Sequence, residues 1–153
     1  MGSVSGALPI TAGYVAVTGK FDAVSTILFL ILVFWQMPHF YSIAIFRMKE
    51  YQAAKLPMLP IKSGILNTKI QMTVYIIIFF LAVSSLYILG HAGVTYQILM
   101  TLIITFWFFT AINGFKIKNN RKKDVGWSIG MFRVSLKVLA SFSFIIALDN
   151  FLP

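Results

Sequence analysis

Apolar residues in this chain gather into five stretches, each parted from the next by a short polar or charged connection. The first runs from Ser3 to Gly19, the second from Ala23 to Phe46 and the third from Ile70 to Leu89. The fourth runs from Tyr96 to Phe115 and the fifth from Met131 to Phe151, with an interfacial turn predicted from Val125 to Gly130. Runs of about twenty apolar residues match the length a helix needs to cross roughly 30 Å of hydrocarbon. The first stretch is of another kind, because it carries Gly6, Ala7, Ala12, Gly13 and Ala16 around Pro9. Small residues let helix backbones approach closely, so this segment is expected inside the bundle rather than in lipid. The pattern predicts an all-α fold: a multi-span helical membrane bundle with five transmembrane segments.

Composition sharpens this picture. Apolar residues make up 59% of the 153 residues and charged ones 11%, whereas a soluble domain carries roughly a quarter charged residues. The net charge of +9 sits beside apolar spans, where it sets orientation and meets anionic lipid; nucleic acid is not an expected partner. There is no cysteine, which removes disulfides and thiolate metal sites. Met1 to Gly6 lacks the basic stretch of a signal peptide, so none is expected.

The connections alternate in charge. Arg47, Lys49, Lys55, Lys62 and Lys69 lie between the second and third stretches; Lys116, Lys118, Arg121, Lys122 and Lys123 lie between the fourth and fifth. The turn around His91 has no Lys or Arg. The positive-inside rule then places loops 47–69 and 116–123 in the cytoplasm, with the C-terminus outside. Arg133 and Lys137 share one face near the cytoplasmic end of the fifth stretch, where they either snorkel to headgroups or face a polar cavity. Trp107, Phe108, Phe109 and Trp127 read as lipid-facing or interfacial aromatics, and Asp149 as a residue of the outer interface.

Candidate chemistry concentrates between Trp35 and Pro60. Trp35, Gln36, Pro38 and His39 end the second apolar stretch, and Arg47, Lys49, Glu50, Tyr51 and Lys55 follow before Pro57 and Pro60 close the loop. One reading is a solvated loop that obeys the charge rule. The other is a site: Glu50 is the loop's one carboxylate, and cations beside a group able to hold Mg²⁺ suit a diphosphate. His39 is either a hydrogen-bonded structural residue or a ligand, since an ionisable residue near the end of a span is a functional candidate. His91 reads as a solvated turn residue.

Trp35-Gln36, Pro38-His39-Phe40, Glu50-Tyr51, Ala54 and Pro57-Met58-Leu59-Pro60 together closely resemble the protoheme IX farnesyltransferase family (haem O synthases), within the UbiA-type intramembrane prenyltransferases. Gly6-Ala7, Pro9, Gly13, Thr18-Gly19 and Asp22 upstream, and Phe132, Ser135 and Asp149 to Pro153 downstream, are similar to the family's flanking segments. Ile10 departs from the family's double proline. The resemblance implies a bundle of nine spans, of which this chain matches the last five, in the cell inner membrane. It implies transfer of a farnesyl group from farnesyl diphosphate to a vinyl carbon of haem b, with Mg²⁺ as cofactor.

By resemblance, Arg47, Lys49 and Lys55 would bind the diphosphate, Glu50 and Tyr51 would be catalytic, and Glu50 would be a metal ligand. Trp35, Gln36 and His39 would line the haem or prenyl cavity. The family's principal Asp-rich motif, of NxxxDxxxD type, has no counterpart among these residues. This polypeptide is therefore expected to be inactive alone, with an N-terminal half chain or a terminal oxidase as its protein partner. Two other classes remain: a small non-enzymatic haem-binding or oxidase assembly protein, and a transporter, which the apolar third and fourth stretches disfavour.

Overall fold

The computed structural model describes residues 2–117 and 120–149. Lys118 and the residues past Asp149, on which the outward C-terminus and the end of the fifth stretch depend, lie outside the described residues. Every regular element among the described residues is helical. The helices are α1 (Gly2–Thr18), α2 (Ala23–Phe46), α3 (Met48–Ala53), α4 (Leu59–Lys62), α5 (Gly64–Ile88), α6 (Val94–Asn113) and α7 (Arg121–Leu148), with a 3-10 turn over Gly114–Lys116 after α6.

Four of them, α2, α5, α6 with its 3-10 turn, and α7, are long and apolar enough to cross a membrane. Their contacts close a ring in which α2 touches α5 and α7, and α6 touches the same two. The first predicted span is shorter than the others. At 17 residues and 1.5 Å per residue, α1 reaches about 25 Å, short of the ~30 Å hydrocarbon core. It packs on the flank of α2.

The ring's interior follows helical spacing. In α6 the buried positions are Tyr96, Met100, Ile104, Trp107 and Ala111, one stripe at intervals of three and four. Serines 25, 42, 84, 128 and 135 are buried too, while Leu81, Leu102, Phe106, Phe109 and Phe144 are more than 60% exposed. Small polar residues inside and large apolar ones outside is the arrangement a bundle adopts in lipid, where only packing and hydrogen bonds hold helices together.

Three expectations are corrected. The third apolar helix begins at Gly64, six residues early, so Lys69 is a buried helical residue and not part of a loop. Gly64, at φ +81°, makes the turn that lets the helix start there. The interfacial turn at 125–130 does not exist, because α7 is continuous from Arg121. The Asn120 side chain accepts the Lys123 N–H at 3.1 Å and caps it; Gly126 and Gly130 each cost only about 1 kcal/mol inside the helix. Trp107 is not lipid-facing: it is fully buried, with its ring edge-on to Phe79 at 5.7 Å.

Candidate functional site

Two groups of sequence candidates come together on the seam between α2 and α7. The first sits within the bundle. The Trp35 indole N–H donates to the Ser135 carbonyl at 2.8 Å, and His39 Nδ1 lies 2.8 Å from Ser135 Oγ. The Ser135 hydroxyl donates to the Phe132 carbonyl at 2.7 Å. In the tautomer that satisfies both contacts at once, Nδ1 is the donor to Ser135, and Nε2 lies outside this network. The His39 ring is stacked on Trp35 at 4.7 Å and meets Phe132 at 4.8 Å. Gln36 points elsewhere. It is buried against α1, where a Cβ on Gly6 would stand 2.7 Å from its amide nitrogen, so it does not share the His39 wall.

The second group lies at the helix ends. Phe46, Arg47, Lys49 and Glu50 from α2 and α3 face Arg121, Lys122 and Val125 of α7 across a cavity of about 460 Å³. Four cations against one carboxylate give this cavity an excess of positive charge. Arg47 Nη1 and Glu50 Oε2 are 3.3 Å apart, with side chains 57% and 67% exposed, so their pairing is weak and easily exchanged for another partner. Tyr51 and Lys55 are not among this cavity's lining residues. Tyr51 is half-buried on α3, and Lys55 is exposed beyond it at φ +54°.

Aromatic contacts join the two groups. Phe46, on the cavity rim, meets Phe132 edge-on at 5.9 Å, and Phe132 in turn touches His39. A wall of rings therefore runs from the charged cavity into the bundle at Trp35.

Two residues that the sequence reading did not single out dominate the electrostatics nearby. Lys69 Nζ donates to Asp124 Oδ1 at 2.6 Å and to the Gly114 carbonyl at 2.7 Å, and lies 5.3 Å from the centre of the Trp127 ring. Its side chain is 4% exposed and that of Asp124 8%. The signal was present: Asp124 is the lone acid in a basic run, the same property that made Glu50 a candidate. A larger cavity, about 770 Å³, is lined by this pair together with Arg121, Ile65, Leu66 and Phe115.

The described residues offer Mg²⁺ one carboxylate at the 460 Å³ cavity, that of Glu50. No group of three or more His, Asp or Glu able to hold a metal occurs among the described residues. Magnesium keeps several waters and is held by one or two carboxylates together with substrate phosphates, so Glu50 would supply one donor to an ion shared with a diphosphate.

Residues 1–136 match the UbiA prenyltransferase family. The chain is 41% identical over its whole length to a protein named protoheme IX farnesyltransferase from Photorhabdus laumondii, covering 51% of it. It is 42% identical to the protein of that name from Yersinia enterocolitica, covering 50%. The chain thus spans about half the length of the curated relatives it matches. No solved structure matches. With the matched residues taking in α1 to α6 and more than half of α7, the chain belongs to the UbiA prenyltransferase family.

Proposed function

We propose that this chain forms the C-terminal half of a protoheme IX farnesyltransferase in the cell inner membrane, with loops 47–63 and 116–123 cytoplasmic. The observation that carries this reading is the convergence of Arg47, Lys49 and Glu50 with α7 on one net-positive cavity, beside an apolar ring wall. Such a cavity suits a diphosphate whose hydrophobic tail continues along the wall. The relatives' name supplies the substrates.

In the proposed reaction the allylic C–O bond of farnesyl diphosphate breaks and its electron pair leaves with the diphosphate. Arg47 and Lys49 stabilise that departing charge, an effect that grows as water is excluded. The vinyl π electrons of haem b then form the new C–C bond. Water adds to the resulting cation and releases a proton, so the products are haem O and diphosphate. Ring faces of Trp35 and Phe132 favour a passing cation electrostatically. When bound, Mg²⁺ would help neutralise the leaving diphosphate, and Glu50 would offer it one carboxylate oxygen.

The test has two arms. Glu50→Ala in the complete enzyme should lower haem O, read by chromatography, by tenfold or more on the usual scale for a lost active-site charge; undiminished product removes Glu50 from the mechanism. The 153-residue polypeptide alone should yield no haem O in a strain that lacks haem O synthase, and recovered product refutes that. A non-enzymatic haem-binding role would draw on the unengaged His39 Nε2. A Soret shift on haem titration that is lost in His39→Ala, with no product under any pairing, would favour it.

A further inference from the structure

Arg121 is the one cation that lines both cavities at the helix ends, and its surroundings are unusual for an arginine. Its Nη2 donates to the Ile45 carbonyl at 2.7 Å, in the last turn of α2. That bond fixes the guanidinium at the seam. Its Nη1 is shut off from solvent and has no acceptor among the described residues. A buried donor left unpaired carries a desolvation cost, which an incoming anion would remove.

The neighbouring carboxylate should have been that acceptor. Asp124 stands three residues on from Arg121, the spacing at which opposite charges meet on a helix. Instead Asp124 is drawn to Lys69 across 2.6 Å and both are buried. Glu50, on the far side of the cavity, engages Arg47. Arg121 is thereby left with its charge uncompensated at the wall of the net-positive cavity.

We infer that Arg121 is a diphosphate-binding residue, and that Lys69 is a positioning residue which keeps it available by sequestering Asp124. The inference rests on the reading of this cavity as the diphosphate site. Arginine's planar fork suits this task, since it can spend one edge on Ile45 and offer another to phosphate oxygens.

The experiment titrates inorganic pyrophosphate into the full chain in zwitterionic nanodiscs, followed by calorimetry. Arg121→Met should weaken binding about tenfold or more, and Arg121→Lys should recover part of it. Lys69→Met should also weaken binding, because Asp124 is then free to pair with Arg121. Lys69→Met/Asp124→Leu, which removes both charges, should restore it. The decisive comparison is a cycle: in the Arg121→Met background, Lys69→Met should change nothing further. If the two effects simply add, Lys69 acts only as a remote charge and its positioning role is lost. Should Lys69→Met fail to fold, the double variant and the two Arg121 variants decide. If Arg47→Met/Lys49→Met abolishes binding while Arg121→Met does not, the inference fails and the cavity reading stands. If the unaltered chain binds no pyrophosphate, both fall.

Discussion

Lys69 and Asp124 show how a residue's neighbours decide what its charge costs. Side chains only 4% and 8% exposed lose nearly all their hydration, and their attraction does little more than offset that loss. Removing one partner is another matter, because the remaining charge stays buried without compensation. Lys69→Met is therefore expected to destabilise the bundle by about 3–5 kcal/mol. Lys69→Met/Asp124→Leu should regain most of it, as followed by thermal unfolding in detergent. The same comparison read as pyrophosphate affinity probes Arg121, so stability and binding report separately on one pair. His39 illustrates the opposite case. Its histidine identity and its place near the end of a span were legible in the sequence; its partner Ser135, ninety-six residues on, depends on which face of α7 turns inward.

At the scale of helices, close approach is concentrated where a glycine meets a ring or an amide. A Cβ on Gly114 would stand 2.4 Å from the Trp127 indole, whose N–H is itself held by the Thr110 carbonyl at 2.8 Å. Trp127 also covers Lys69, so it has little room to yield. Gly114→Ala is expected to cost about 1–3 kcal/mol through overpacking. Gly6→Ala should cost less, since its Cβ meets only the movable end of Gln36; melting temperatures of the two variants should rank accordingly.

The limits of sequence reading lie at this scale as well. Apolar runs located α2, α5, α6 and α7 because hydrophobic length is a property of consecutive residues. They misplaced the starts of α5 and α7 because Lys69 and Asp124 look like loop residues until they are seen to neutralise each other. Likewise, Trp107 reads as lipid-facing or interfacial because an aromatic cluster carries no mark of which ring faces in. Arg47, Lys49 and Glu50 were legible as one group by their closeness in the chain. Arg121 was not, since it reaches them only through the fold.

For the whole molecule, the distribution of charge predicts how it threads the bilayer. The helix ends carrying Arg47, Lys49, Arg121 and Lys122 face one side, and the His91 turn, exposed and free of Lys and Arg, joins the opposite ends of α5 and α6. The absence of native cysteine makes this directly measurable. In spheroplasts, His91→Cys should react with a membrane-impermeant maleimide, whereas Gln52→Cys should react only after permeabilisation. The reverse labelling would overturn the orientation.

Helix α7 is clasped at three heights. Its first residue holds the end of α2, through Arg121 and Ile45; its middle is bound to Trp35 and His39 at Ser135; and Asp149, just past its end, accepts the Gly93 N–H at 2.7 Å. By contrast, Pro60 is the one buried residue of the two short helices α3 and α4. Amides of α3 should exchange with deuterated solvent well before those at 125–128, although both lie near the membrane surface. On that expectation α7 is the door jamb and the segment from Met48 to Lys62 the door, and equal exchange of the two would refute it.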